Sequence, residues 1–198
     1  PLNTINITNC LVDHLFEMSH RTLPKRIMEQ ARLCAMDYVS CATAGARMME
    51  KQNRQFLADV ARQGGNSTVI GHETKTTLHN AAFLNAMNAH ATELDDGHRL
   101  GMIHLGASIF STLMPVAELE GVDKENVLRG AVVGYEAAVL SAMAMQPSHK
   151  MRGYHTSGTC GTIGAAMAIA AALHFTKHEM KNVLSAAVAG AAGLLEMQ

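Results

Sequence analysis

Two short segments of the sequence hold most of the side chains that could carry out acid–base chemistry. The segment Glu93–His104 (ELDDGHRLGMIH) contains carboxylates, two histidines and an arginine. The segment His149–Thr159 (HKMRGYHTSGT) contains two further histidines with lysine, arginine, tyrosine and hydroxyl side chains. Histidine exchanges protons near neutral pH, and a neighbouring carboxylate can orient an imidazole and stabilise its charged form. These residue types therefore predict proton transfer.

His104 and His155 belong to different segments and are the candidate acid and base. Two imidazoles on either side of one carbon can remove a proton and supply another to a leaving group or to the opposite face. Asp95 or Asp96 is the candidate orienting carboxylate, and the spacing leaves the choice between them open. The competing interpretation is that these polar groups cap helices and tether loops.

A metal site is the alternative chemistry for the same segments. Asp95, His98, His104 and His155 offer oxygen and nitrogen ligands of the kind that divalent transition metals bind. The spacing of His98 and His104 does not match the helical histidine pair of known zinc motifs, and the four cysteines form no C-x-x-C pair. We therefore expect neither a metal nor a cofactor, and a metal-assisted hydrolase remains the alternative.

The run G-x-x-G-x-x-G from Gly158 to Gly164 opens an alanine-rich helix. Free backbone N–H groups at a helix start attract a carboxylate, and Arg99, Lys150 or Arg152 could add positive charge. The predicted substrate-binding residues are Arg99, Ser157, Gly158 and Thr159. A glycine at every third position is also typical of a closely packed helix face, and both interpretations stay open.

Two nearby side chains are predicted to be structural. His90 falls at helical spacing with Phe83, Met87 and Leu94, which predicts a buried, hydrogen-bonded histidine and not a catalyst. Cys160 follows the predicted hydroxyl cluster, and no mechanism here needs a thiol. We therefore expect Cys160 to be a small packing residue.

The elements that must position the two segments are predicted to be helices. Asp123 is placed to cap one helix, and Thr176 with Glu179 forms a T-x-x-E capping box for the last one. We expect a mainly α fold of seven or eight helices, with one β-like run at Ser67–Gly71. The last helix is expected to reach about Leu195.

The composition excludes several classes of protein. Hydrophobic residues make up 48% and charged residues 17%, which excludes a disordered chain and predicts one helical domain over residues 1–198. The net charge is −1, without a basic stripe, so no nucleic-acid or membrane partner is expected. The cysteine pattern and the polar first 20 residues predict a cytoplasmic protein without a signal peptide.

Four segments resemble the MmgE/PrpD family of 2-methylcitrate dehydratases, cis-aconitate decarboxylases and iminodisuccinate epimerases. The segments are Asn80–Arg99, His104–Glu118, Gly134–Glu136 and Gly153–Ala166. The resemblance implies a helical domain, a smaller α+β lid domain and a homodimer. It also implies acid–base chemistry on a small di- or tricarboxylate without an iron–sulfur cluster. By the same resemblance, Asp95 or Asp96, His104 and His155 line the active site.

The sequence also departs from the family pattern. The sequence has HLGA at the position where many members have HPG or HPS. Gly97 replaces a threonine that could touch substrate. Members are roughly twice as long and contribute a lysine from a later segment, so we expect this chain to be an N-terminal portion without the lid. Dehydration, decarboxylation and epimerisation all stay open. The non-enzymatic alternative is a helical module that serves only to dimerise.

Overall fold

The computed structural model describes residues 6–195, which form helices joined by short loops and two small hairpins. The helices are α1 (Ile7–His20), α2 (Lys25–Met48), α3 (Glu50–Ala61), α4 (Leu78–His90), α5 (Gly106–Glu120), α6 (Lys124–Met145), α7 (Ser148–Met151), α8 (Thr156–Ala172) and α9 (Lys177–Gly190). The antiparallel hairpins pair β1 (Ser67–Thr68) with β2 (Lys75–Thr76), and β3 (Gly97–His98) with β4 (Ile103–His104). The prediction of a mainly α fold is confirmed, although the described residues form nine helices because α7 is a separate single turn.

The predicted helix starts are confirmed by their hydrogen bonds. The side chain of Asp123 accepts from the backbone N–H of Asn126 at 3.0 Å, which caps α6. Thr176 and Glu179 form the reciprocal capping box of α9. The predicted end of α9 is wrong, because the helix stops at Gly190 and the following chain pairs at Leu194 with Tyr154, just before α8.

Helices α6 and α8 pack with their backbones almost in contact. A Cβ atom added at Gly134 would lie 2.6 Å from the carbonyl oxygen of Gly164, and one added at Gly130 would lie 2.6 Å from the carbonyl oxygen of Ala168. Only glycine leaves room for such an approach. The close-packing interpretation of the glycine run that opens α8 is therefore confirmed, since Gly161 also meets Ser108 of α5.

Within residues 6–195, α6 is the one helix long and apolar enough to cross a membrane by length and composition. Part of its apolar surface packs inside the fold, where Ala131, Val133 and Ala138 are buried. The core also contains Tyr38 of α2 and Phe110 of α5, whose ring centroids lie 5.6 Å apart. Burying side chains of this size stabilises the fold by about 1.5–3 kcal/mol each.

Helix α4 buries a different face from the predicted one. Phe83 is 59% exposed and packs edge-on against Phe56, while Leu84 and Asn88 are buried. The cause is Gly45 of α2, where an added Cβ atom would lie 1.8 Å from the carbonyl oxygen of Asn88. This close backbone approach determines which face of α4 is buried. Side-chain hydrophobicity alone does not determine it.

Candidate active site

The loop between α4 and α5 forms one wall of the candidate site around the carboxylate of Asp95. That side chain is fully buried and lies against two imidazoles. Its Oδ1 is 3.0 Å from Nδ1 of His90 and 3.3 Å from Nδ1 of His104. The two imidazole rings meet edge to face, with centroids 5.1 Å apart. A buried carboxylate needs such partners, because an unpaired charge in this position would be costly.

The next residue, Asp96, points the other way and fixes the loop to the helices. Its Oδ1 accepts from the backbone N–H of Gly106 at 2.8 Å, and its Oδ2 accepts from the hydroxyl of Tyr135 at 2.7 Å. The dipole of α5 also stabilises the negative charge of the Asp96 carboxylate, which lies at the start of that helix. Of the two candidate orienting carboxylates, Asp95 is therefore the one in contact with His104, and Asp96 contacts neither candidate acid–base histidine.

The β3–β4 hairpin presents His104 to the cavity. Gly97 pairs with His104 across the hairpin, and Gly101 sits in its tight turn with its N–H donated to Nδ1 of His98 at 3.1 Å. An added Cβ atom at Gly101 would lie 3.1 Å from the side chains of Ala142 and Ile103. Because Gly101 has no side chain, the turn of the hairpin can approach Ala142 of α6 closely.

The second wall is the start of α8, which carries His155. The backbone N–H of His155 donates to the carbonyl oxygen of Gly193 at 3.1 Å, and Leu195 donates to Gly153 at 2.8 Å. The chain after α9 thus braces this segment. The two walls meet where the backbone N–H of His104 donates to the hydroxyl oxygen of Ser157 at 3.0 Å.

The two walls enclose a cavity of about 410 Å³ that opens to solvent. Its polar lining combines imidazoles, cations and hydroxyls, from His98, Arg99, His104, Lys150, Tyr154, His155, Thr156 and Ser157. Among the described residues, the lining contains no carboxylate. A cavity with this lining suits a small anion, because the cationic side chains can pair with carboxylate groups.

The pKa values of two imidazoles shift in opposite directions. The hydrogen bond from His90 to Asp95 raises the pKa of His90 above its usual range. Burial lowers the pKa of His155, and the positive charges of His90 and His104 lower it further. The surroundings therefore stabilise the charged form of the first imidazole and the neutral form of the second.

The structure brings some of the predicted substrate-binding residues to the cavity and leaves others outside it. Arg99 and Ser157 line the cavity with the two candidate histidines. Thr159 is buried, and its hydroxyl lies 2.8 Å from Nε2 of His149. Gly158 faces the segment after α9, since an added Cβ atom would lie 2.7 Å from the carbonyl oxygen of Ala192. Thr159 and Gly158 thus lie behind the cavity surface.

Sequence reasoning assigned His90 to packing and missed its contact with the site carboxylate. The expected hydrogen bond exists, but its acceptor is Asp95, five residues further along the chain and past the end of α4. The signal available in the sequence was a carboxylate just beyond a helix whose last residue is histidine. Cys160 agrees with its prediction, since it is fully buried, and burial raises the pKa of its thiol.

The donor atoms of His90, Asp95 and His104 lie within 4.8 Å of one another, close enough to admit a divalent cation. His98 and His155 from the predicted metal set line the cavity but do not belong to this cluster, and Nδ1 of His98 accepts from the backbone N–H of Gly101. The contact of His90 with the carboxylate of Asp95 at 3.0 Å is a hydrogen bond. Nδ1 of His104 instead hydrogen-bonds to the backbone oxygen of Asp95 at 3.2 Å and lies 3.3 Å from the carboxylate.

Comparison with known proteins agrees with this architecture. The family sequence model of the MmgE/PrpD N-terminal domain matches residues 10–198. The cis-aconitate decarboxylase-like protein oryM of Aspergillus oryzae is 24% identical over 201 residues, covering 98% of this chain and 42% of that protein. The cis-aconitate decarboxylase of Aspergillus terreus is 26% identical over 185 residues, covering 89% of this chain and 37% of that protein.

This chain spans about two fifths of the length of these curated relatives. The match to the family model nevertheless covers almost the whole chain, including both walls of the cavity. The chain belongs to the MmgE/PrpD family, and its residues 10–198 correspond to the helical N-terminal domain of that family.

Proposed function

We propose that this chain carries acid–base residues of a lyase or isomerase that acts on a small di- or tricarboxylate without a cofactor. The observation that carries the proposal is the pair of imidazoles, His104 and His155, that line one cavity together with Arg99 and Lys150. The relatives named as cis-aconitate decarboxylases support a carboxylate substrate. The reaction removes a proton from the carbon next to a substrate carboxylate.

His155 is the proposed base. Burial and the neighbouring positive charges lower its pKa, so the imidazole is neutral at neutral pH and has a free lone pair. Substrate binding places a carboxylate beside Arg99 and Lys150, which stabilise the negative charge that develops as the proton leaves. A base of this kind accelerates proton transfer by about 10²–10⁴-fold.

His104 is the proposed acid. Its Nδ1 lies 3.3 Å from Oδ1 of Asp95 and 3.2 Å from the backbone oxygen of the same residue. Both of these atoms accept hydrogen bonds, so Nδ1 carries a proton and Nε2 is the nitrogen that exchanges a proton with substrate. Asp95 orients the ring of His104, so that Nε2 of the protonated imidazole can donate a proton to a leaving group or to the opposite face.

The full-length protein tests the proposal when it is incubated with citrate, 2-methylcitrate, cis-aconitate and iminodisuccinate. Product analysis separates dehydration, decarboxylation and epimerisation. We expect turnover of at least one acid, and its loss in His104→Gln and in His155→Gln. Unchanged turnover in both variants would contradict the proposed roles.

A metal-assisted hydrolase is the second candidate, and the three close donor atoms of His90, Asp95 and His104 favour it. Metal analysis of the purified protein and activity after chelation separate the two mechanisms. Acid–base catalysis predicts full activity after chelation, whereas the hydrolase predicts its loss and its return when the metal is restored.

The non-enzymatic alternative is a helical module that only dimerises. Exposed apolar side chains on α2, namely Leu33, Met36 and Val39, favour an assembly surface. We propose that a homodimer and the acid–base site coexist, in a cytoplasmic protein. A dimer by light scattering that turns over none of the four acids would support the purely structural role.

A further inference from the structure

The side chain of Gln146 lies between three segments of the candidate site. The residue follows directly after α6, and it is half-buried. Its Nε2 donates to the carbonyl oxygen of Gly101 at 3.4 Å and to the hydroxyl oxygen of Thr156. Its Oε1 accepts from the backbone N–H of Lys150 at 3.3 Å. The orientation of the amide follows from its partners, because a carbonyl oxygen can only accept and a backbone N–H can only donate.

Each of these partners belongs to a segment that lines the cavity. Gly101 lies in the turn of the β3–β4 hairpin, which ends in His104. Thr156 is the first residue of α8 and directly follows His155. Lys150 of α7 is itself part of the lining. This one amide therefore joins both walls of the cavity to the single helical turn that carries a cation.

The contacts to the two walls are made away from solvent. Gly101 and Thr156 are both buried, so water is not a ready replacement for the amide of Gln146. A buried acceptor that loses its partner is costly, and each contact therefore holds its wall in place. Gln146 itself lies outside the cavity lining, so it acts on substrate only through these neighbours.

We propose that Gln146 is a positioning residue that holds the two walls at the separation at which His104 and His155 reach one substrate carbon. This inference rests on the proposed function, because two imidazoles act on one carbon only when both lie within reach of it. A displacement of about 1 Å can cost about 10²-fold in rate, so a contact between the walls affects catalysis without touching substrate.

Turnover of the full-length protein tests this role in Gln146→Met. Methionine has a similar length but lacks the amide, so we expect kcat to fall by about 10–10²-fold. KM should change less, because Arg99 and Lys150 are exposed and can follow a substrate carboxylate, whereas the proton-transfer distance cannot adapt. The matched control is Ser148→Ala, which removes a hydroxyl that donates to the carbonyl oxygen of Met145 in the same stretch of chain. This control should keep the wild-type kcat.

Hydrogen exchange at the backbone N–H of His104 tests the same role without turnover. This N–H donates to the hydroxyl oxygen of Ser157 at 3.0 Å, from one wall to the other, so its protection reports how often the walls separate. Exchange followed by NMR in the full-length protein should be about tenfold faster in Gln146→Met than in the wild type. It should be unchanged in Ser148→Ala.

Thr156→Val is a second variant that tests the contact if Gln146→Met does not fold. Valine keeps the branched shape of the buried side chain and removes the hydroxyl oxygen that accepts from Gln146. It should also lower kcat and speed the exchange at His104. Where both single variants fold, the double variant should lose less than the product of the two single losses, because both remove one shared contact. Fully multiplicative losses would overturn the link through Thr156.

These outcomes are distinct from failure of the proposed function. A wild-type protein that turns over none of the four acids would remove the proposed function, and the exchange at His104 would still test Gln146. Wild-type exchange in the folded variants would overturn the positioning role. A lower melting temperature of Gln146→Met with unchanged kcat and exchange would also overturn it, since the amide would then contribute to stability alone.

Discussion

The two walls of the cavity hold their imidazoles by different means. On the α4–α5 wall, the side chain of His104 lies against a fully buried carboxylate, Asp95, that also holds His90. On the α8 wall, His155 is fixed through its backbone, which donates to Gly193 of the bracing segment after α9. On the α4–α5 wall, His104 lies beside a negatively charged group. On the α8 wall, His155 is partly buried and lies near positively charged groups.

This difference shows how the surroundings of two histidines, His90 and His155, can favour opposite protonation forms. A carboxylate partner stabilises the charged imidazole, whereas burial near other cations favours the neutral one. Pairs of titratable groups with pKa values shifted apart are typical of acid–base sites. Substitutions on the two walls test whether the walls differ in the way that their geometry indicates.

The largest effect is expected from removing the imidazole on either wall. His155→Gln removes the base and should lower turnover by about 10²–10⁴-fold. His104→Gln should have a loss of similar size, but the pH profiles should differ. Without His155 the acid limb disappears, because that limb reports the protonation of the base. Initial rates across pH 5–9 measure both, and variants with identical profiles would contradict the division of roles.

The adjacent aspartates give the next contrast. Asp95→Asn removes the charge behind His104 and should lower turnover by about 10²–10⁴-fold. Asp96→Asn weakens the contacts to Gly106 and Tyr135, so it should lower the free energy of unfolding by about 1–3 kcal/mol. Its turnover should be retained in the folded enzyme. Denaturant unfolding and turnover of both variants test this, and a reversed pattern would assign the orienting role to Asp96.

A smaller effect is expected from the cations in the lining. Arg99→Gln and Lys150→Gln each remove a partner for a substrate carboxylate that also stabilises the developing negative charge, so each should lower kcat/KM about tenfold or more, with losses in both KM and kcat. Steady-state kinetics on the best acid from the panel measures this. The control is Arg152→Gln, because Arg152 is exposed and lies outside the cavity lining. Equal effects from all three would point to long-range attraction.

The smallest effect concerns stability. The pKa of His90 is raised in the folded protein by its contact with Asp95, so this contact stabilises the fold fully at pH values below the unfolded pKa. The contribution is lost as the pH rises through the raised value. The melting temperature of the wild type should therefore exceed that of His90→Gln by more at pH 5.5 than at pH 8.5. A gap that is constant with pH would mean that packing alone separates the variants.

Sequence reasoning found the two segments but could not choose between adjacent side chains. Asp95 and Asp96 are chemically identical, and their directions are set by the β3–β4 hairpin and by the start of α5 at Gly106. Those contacts join distant parts of the chain, so spacing does not encode them. The caps of α6 and α9 were predictable because Asp123 and Thr176 bond within their own helices.

Helix rotation was the other feature that the sequence left undetermined. Phe83 is more hydrophobic than Ala81, yet Phe83 is exposed and Ala81 is buried. The contact between Gly45 and the backbone of Asn88 decides this, because two backbones can approach only where one residue has no side chain. His90, at the end of the same helix, contacts Asp95 in the loop beyond it, a partner that the helical pattern of α4 does not include.

The most direct test of the account is a titration of the histidines of the full-length protein by NMR, with His90 and His155 assigned by substitution. The two pKa values should lie on opposite sides of the usual value of 6.5, with that of His90 above it and that of His155 below it. Two coincident titrations near 6.5, or the reverse order, would contradict the claim that the cavity walls set opposite protonation states.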